Sequence, residues 1–300
     1  MESQSTSVEN TVVVTLTNEG YYHRATRTII DIRSRGEWTG DLVLITVGFD
    51  APTTFLDFYS VIPFRVEHID TTALLEKYSR CSIRPTCDNR EYGKLTQWDK
   101  FYVFHKWFAR WNKVVYLDAG LRVLDQIAYL TELDCRGALL APDDAPEYDT
   151  EKRFGGIIET DRNTPVIVDL FEEYSLDILK ERYFLNCIWV YDTALLQTIT
   201  MEECVATMNR YPICRCNEMT IMNLLFTFKY KVWRPFPAFV TVKPRTNMTV
   251  AEDTGIIEVD AVDQKRLFGW TEHDRDYGHH TTWRDFCFLK YPSTLPFTNE

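Results

Sequence analysis

The side chains of this sequence that are able to do chemistry sit where apolar runs stop. In NKVVYLDAGLRVL (112–124), Val114-Val115-Tyr116-Leu117 lead straight into Asp118, and Ala119-Gly120 lead on to a second apolar stretch holding Arg122. An acid where a buried strand ends is either a turn or capping residue, or a ligand for a metal or a phosphate-linked sugar. TVVVTLTN (11–18) closes on Thr17-Asn18, and GALLAPDD (137–144) closes on Asp143-Asp144 just before Pro146. Those two acids are equally suited to forming a turn. Asn186 stands inside the apolar run YFLNCIWVYD (183–192), where a buried amide has to find hydrogen-bond partners.

Several other chemistries are excluded. Glycine is scarce, 12 in 300 residues, and neither GxGxxG nor GxxxxGK[ST] occurs. The usual glycine-rich cradle for a dinucleotide or a triphosphate is therefore missing. GxSxG and HExxH are absent too, which removes a hydrolase elbow and a zincin helix. The net charge of -11 leaves no basic excess for a nucleic-acid backbone or an anionic membrane. It does not prevent the binding of one nucleotide, which needs only a local cluster of donors. The eight cysteines form no CxxC pair. The first ten residues lack the apolar core of a signal peptide, and no apolar run approaches the roughly 20 residues needed to cross a bilayer. These features predict a cytoplasmic protein with mostly buried thiols and no membrane anchor.

The elements that position the polar residues follow from periodicity. Continuous apolar, β-branched runs at 11–17, 41–47, 113–117 and 137–141 read as strands buried on both faces. Further strands are expected at FRVEHI (64–69) and YFLNCIWVYD (183–192), and YKVWRPFP (230–237) closes the regular part. Helices are expected at about 20–35, 52–60, 71–78, 95–111, 164–182, 193–209 and 217–229, with Trp98, Trp107 and Trp111 in the core. Alternating strands and helices predict an α/β protein with a mostly parallel sheet. Ligands of such sheets bind beyond the carboxyl ends of the strands. That rule sets Thr17-Asn18, Asp118 and Asp143-Asp144 along one rim.

KVVYLDAGLRVL resembles the VVYLDAD segment of GT-A glycosyltransferases, nearest the family-eight, glycogenin-like enzymes. In that family the aspartates of a DxD motif hold a divalent metal that bridges the two phosphates of a nucleotide-sugar. Other segments fall in the family's order. TVVVTLTNEGYYHRATRTIIDIR is similar to the first strand and helix, which implies that Thr15, Thr17, Asn18 and Tyr22 hold base and ribose. WDKFYVF resembles a helix segment whose basic residue reaches the donor, here Lys100. LLAPDD is similar to the strand that ends in an acid beneath the transferred sugar, giving Asp143 or Asp144. YFLNCIWVYD puts Asn186 in the sugar-contacting place. NEMTIMNLLF maps Asn217 and Glu218 onto an acid-amide pair near the anomeric carbon, where Glu218 is either the acid that stabilises an oxocarbenium-like centre or a charge favoured by a helix N-terminus. YGHHTTW sits where a late histidine completes the metal site, so His279 or His280.

The sequence departs from the family at the motif itself. It reads Asp118-Ala119-Gly120, without the second acid, and a Ser-Gly pair has become Cys187-Ile188. The resemblance implies a single Rossmann-like GT-A domain with a mixed, mostly parallel sheet over 11–237, after a disordered tail at 1–10 and before a C-terminal extension (238–300) on the acceptor side. It implies transfer of a hexose or related sugar, most simply from a UDP-linked donor, to a glycan or glycoprotein hydroxyl, with retention at the anomeric carbon. Mn2+ or Mg2+ would be bound by Asp118 with His279 or His280, and Gly120, Arg122 and Asn217 would line the donor site. Two alternatives stand beside this reading: an inactive nucleotide-sugar or glycan-binding module, and a metal-independent inverting enzyme with Asp143, Asp144 or Glu218 as base.

Overall fold

The computed structural model describes residues 10–80, 95–123, 126–143, 153–159 and 164–236, together with the short stretches 241–242, 264–266, 268–270 and 289–292. The chain begins with β1 (Thr11–Asn18), α1 (Tyr22–Ser34), β2 (Asp41–Val47), α2 (Thr53–Phe58), β3 (Ile62–Val66) and α3 (Thr72–Arg80). After a one-turn helix α4 (Leu95–Trp98) come β4 (Lys113–Leu117), β5 (Leu121–Val123), α5 (Ala128–Thr131) and β6 (Leu139–Ala141). The rest is α6 (Thr164–Tyr174), β7 (Ile188–Asp192), α7 (Met201–Arg210), α8 (Glu218–Asn223) and β8 (Trp233–Pro235), then the short strands β9 (Thr241–Val242), β10 (Gln264–Arg266), β11 (Phe268–Trp270) and β12 (Leu289–Pro292).

Seven strands form one sheet in the order β3-β2-β1-β4-β7-β6-β8. All run parallel except β7, which is antiparallel to both neighbours, β4 and β6. The architecture is thus the expected α/β fold with a mixed, mostly parallel sheet. The apolar runs explain the arrangement. β1, β2 and β4 are buried along almost their whole length, as central strands covered on both faces must be. β3 alternates between half-buried and exposed positions and carries Pro63, which is tolerable because it is an edge strand.

Several elements are shorter than periodicity predicts. The expected helix 95–111 is α4 followed by two 3-10 turns, Asp99–Phe104 and Lys106–Arg110. His105 breaks it: its backbone is extended, and its imidazole accepts a hydrogen bond from the Trp107 N–H at 3.1 Å. The buried face is nevertheless the one the pattern indicates. Trp98, Phe101 and Phe104, spaced by three, are at most 1% exposed, because a 3-10 turn lines up residues i and i+3. Trp111 is buried, while Trp107 is partly buried and stacks on Phe64. The expected strand 183–192 begins only at Ile188. The amide of Asn223 receives the Phe184 N–H at 2.9 Å and donates to its carbonyl at 3.0 Å. That side chain satisfies the backbone where a ladder partner is missing, so residues 185–187 are free to turn.

The other helices end early for local reasons. α6 stops at Ser175, whose φ is +67°. The expected helix 193–209 is a 3-10 turn capped by Asp192, then α7 capped by Thr200, and 217–229 is α8 continued by a π-turn over Leu224–Lys229. β3 lies at 62–66 rather than 64–69, and β6 starts after Gly137, which turns the chain with φ +63°. β11 pairs antiparallel with β5, Gly269 opposite Arg122, and so ties part of the C-terminal region to the strand that follows Asp118. Cys135, Cys187, Cys204 and Cys214 are buried and not in disulfides, whereas Cys216 is disulfide-bonded. No helix among the described residues is long and apolar enough to cross a membrane.

The fold makes one contrast measurable. Leu44 is fully buried in β2 and Phe58 is 79% exposed at the end of α2. Leu44→Ala is expected to lower the unfolding free energy by about 2–5 kcal/mol, and Phe58→Ala to change it by no more than about 0.5 kcal/mol. Urea unfolding midpoints check both values.

Candidate functional site

Strand direction gathers the polar residues. β1, β4 and β6 are parallel, so their carboxyl ends, carrying Asn18, Asp118 and Asp143, share one rim of the sheet. β7 runs the other way and therefore begins at that rim, which is how Asn186 and Cys187 arrive there. The N-terminus of α8 delivers Glu218 to the same place.

Asp118 is held from both sides. Its backbone N–H donates to the Cys187 carbonyl at 2.9 Å, and the Tyr116 hydroxyl donates to its Oδ1 at 2.7 Å. Tyr116 is itself fixed by stacking on Trp189, ring centroids 3.9 Å apart. Beyond Asp118 the chain makes a tight turn, closed by the Leu121 N–H to the Asp118 carbonyl at 3.2 Å. Its third residue, Gly120, has φ +103°, as a type II turn requires. The fully buried Thr28 hydroxyl locks the turn: it accepts from the Gly120 N–H at 3.0 Å and donates to the Leu121 carbonyl at 2.9 Å. Thr28 belongs to α1, so helix and motif are set together.

Lys100 is the centre of the site. Its Nζ lies 2.9 Å from Asp118 Oδ1, 3.0 Å from Asp118 Oδ2 and 3.1 Å from Glu218 Oε1. The Asn186 amide donates to the same Glu218 oxygen at 2.9 Å. The structure thus brings together four of the residues singled out in the sequence: Lys100, Asp118, Asn186 and Glu218. Lys100 and Asp118 keep 12% and 18% of their side-chain surface, enough to open the cluster to a ligand, while Glu218 keeps 4%. Burial works against the Lys100 charge, but the two carboxylates outweigh it and hold its pKa above the ordinary lysine value. Burial pushes the Glu218 carboxyl upward against the pull of Lys100. Burial and the adjacent Asp118 carboxylate push Tyr116 well above the usual phenol range, so it remains a donor.

The remaining candidates take other places. Thr15 is fully buried in β1 and its hydroxyl has no partner. Thr17 donates to the Asn18 carbonyl at 2.9 Å, and Asn18 Oδ1 accepts from the Tyr21 N–H at 3.0 Å. Tyr22 packs edge-on against Phe49 and Phe55 with its hydroxyl buried and unpartnered. Asn217 has φ +46°, donates to Gln97 Oε1, and buries an Oδ1 that has no partner. Asp143 is held by the Arg182 guanidinium and bridges to Phe184, two residues before Asn186. Arg122 lies in β5. Asp144, His279 and His280 lie outside the described residues.

Sequence reasoning missed the supports of the cluster. Tyr116, Thr28 and Asn223 are three of them. Asp99, fully buried next to Lys100, is a fourth: it accepts from His68 Nδ1 at 2.6 Å and from the Ile69 N–H at 2.8 Å, anchoring the lysine's segment to the chain after β3. The signal was present as an acid inside an aromatic run, since such an acid has to be paired.

The described residues do not by themselves fit a divalent ion. No three His, Cys, Asp or Glu side chains converge among them. Both Asp118 oxygens already receive donors, and position 120 has a backbone that side chains rarely adopt.

Removing the cation has a definite consequence. Lys100→Met strands two carboxylates in a mostly buried site and is expected to cost about 3–5 kcal/mol near neutral pH. Burial and mutual repulsion then raise the folded-state carboxylate pKa values above the unfolded ones. Raised values favour the folded state only while the groups are protonated, so the deficit should be small near pH 4 and grow as the pH rises. Urea midpoints of wild type and variant at pH 4 and pH 7.5 read this directly. A deficit that does not change with pH would show that Lys100 is not there to compensate carboxylates.

No protein-family model matches the chain, and no curated protein does. Solved structures do. An active-site mutant of LgtC superposes with a TM-score of 0.53 over 84% of this chain and 80% of that chain, at 11% identity. The apo bifunctional glycosyltransferase WbbM gives 0.49 at 14% identity, covering 78% of this chain and 40% of its own length. Mouse xyloside xylosyltransferase 1, also apo, gives 0.44 at 8% identity, covering 80% and 90%. This chain therefore spans well under half of WbbM and most of LgtC. The likeness to LgtC and the strand order together establish the architecture: the chain has the GT-A fold.

Proposed function

We propose that this protein is a glycosyltransferase. It would move a hexose or related sugar from a nucleotide-sugar, most simply UDP-linked, to a hydroxyl of a glycan or glycoprotein, with retention. The observation that carries this reading is the cluster at the carboxyl rim of a GT-A sheet: Lys100 between Asp118 and Glu218, with Asn186 on Glu218.

Sugar transfer needs both signs of charge close together. Negative charge develops on the departing diphosphate and positive charge at the anomeric carbon, and groups fixed in advance for both lower the barrier most. Lys100 supplies the cation for the leaving group. Glu218 and Asn186 supply a carboxylate and an amide for the sugar, and holding donor and acceptor in register supplies the rest. The resemblance gives base and ribose to Thr15, Thr17, Asn18 and Tyr22, of which Asn18 stands at the end of β1 while the Thr15 and Tyr22 hydroxyls are buried. Asp143 supports the transferred sugar from β6. If the reaction inverts instead, Asp143 or Glu218 is the base that takes the acceptor proton. The glycine at position 120 favours a second reading, a module that binds nucleotide-sugars without turning them over.

A panel of UDP-, GDP- and TDP-sugars, all with manganese present, separates these readings. One donor is expected to raise the melting temperature, because a ligand at a hundredfold over its Kd adds about 2.7 kcal/mol to the native state. Slow donor hydrolysis is expected as well, falling by about 100-fold or more in Glu218→Gln. Stabilisation without hydrolysis, even with acceptor sugars added, would favour the binding module. No response to any donor would end both readings.

A further inference from the structure

We infer that the Lys100 ammonium is this protein's resident cation, and that it neutralises the donor diphosphate without a divalent metal. The inference rests on the donor reading above and concerns how that same site handles charge.

Three observations carry it. The first is the placing of the charge. Nζ sits within 3.1 Å of two carboxylates from different elements, Asp118 after β4 and Glu218 at the start of α8. That is where a metal shared between them would stand. The second is the turn. Gly120 has φ +103° and its N–H is held by Thr28, so a second carboxylate at 120 would be strained. Asp118 is therefore the single acid that the motif contributes to the cluster. The third is one weakly engaged donor. An ammonium has three N–H donors. Here they point to Asp118, to Glu218 and, at a long 3.5 Å, to the Asn186 carbonyl.

The direction of the change on binding follows. With both carboxylates ionised the trio carries one net negative charge, so a diphosphate cannot simply add to it. It must take over the weakest contacts of Nζ, those to the Asn186 carbonyl and to Glu218. Asp118, bonded through both oxygens and braced by Tyr116, keeps the lysine in place. Glu218, still bound by the Asn186 amide, is then released to face the sugar.

The test uses the full chain and three probes: UDP, GDP and TDP, titrated calorimetrically in EDTA and then in Mn2+. Binding of one of them in EDTA is expected, with a Kd changed less than about threefold by Mn2+. The paramagnetic resonance signal of free Mn2+ should be left unreduced by protein plus that nucleotide. Lys100→Arg should retain binding in EDTA, and Lys100→Ala should weaken it by about 10- to 100-fold, the value of a hydrogen bond to a charged group. The wild-type titrations decide the matter even if Lys100→Ala does not fold. Binding that appears only with Mn2+, together with loss of the free Mn2+ signal, overturns the inference and leaves the donor reading standing. Absence of binding under both conditions overturns the donor reading, and the inference with it.

Discussion

A lysine in a nearly buried site is stable only if opposite charge meets it, and in this protein much of the architecture around the sheet's carboxyl rim serves that meeting. Lys100 comes from a 3-10 turn, Asp118 from the end of β4 and Glu218 from the start of α8. Three segments far apart in sequence are thus fastened by one ammonium. Desolvating such charges costs several kcal/mol per ion and is offset only when geometry and additional hydrogen bonds are good. The additional bonds are present: Tyr116 on Asp118 and Asn186 on Glu218. A cluster kept for stability alone could be replaced by apolar residues of similar volume at little cost. The cluster stands at the carboxyl rim of the sheet, the end at which ligands of such folds bind.

The antiparallel strand is the topological device behind this. In a fully parallel sheet, β7 would present its carboxyl end, Asp192, at the rim. Reversed, it presents its beginning, where Asn186 and Cys187 sit. The Asn223 amide releases the chain from the ladder just before that point by bonding both backbone groups of Phe184. An asparagine in α8 thus lets Asn186 leave the plane of the sheet, and the same helix supplies Glu218 as its partner.

How much of this was legible depended on the physics behind each signal. The buried strands were plain, since a run such as TVVVTLT or KVVYL is apolar on both faces and has no other stable place. Asp118 was legible as an acid at a strand end. Lys100 and Glu218 came from the resemblance, and nothing in their local sequence says that they touch. Contacts between residues 118 positions apart depend on topology, which periodicity does not carry. Helix type and length were misread wherever one side chain competed with the backbone, as His105 does inside 95–111. Asp99 and Thr28 were missed because their role is to satisfy groups that become buried only once the chain has folded.

The residue at position 120 looks different once the turn is seen. In the sequence, Asp-Ala-Gly reads as a motif that has lost an acid. In the structure, Gly120 is the residue that the turn needs: its φ of +103° suits glycine, and the Thr28 hydroxyl accepts from its N–H while donating to the Leu121 carbonyl. An aspartate placed there would carry backbone strain of order 1–3 kcal/mol and would bring a third negative charge towards a trio already one charge negative. The glycine and the lysine are therefore two parts of one arrangement. The turn keeps a further acid away from the cluster, and Lys100 meets the two carboxylates that are there. Tyr116, itself stacked on Trp189, braces Asp118 within that arrangement.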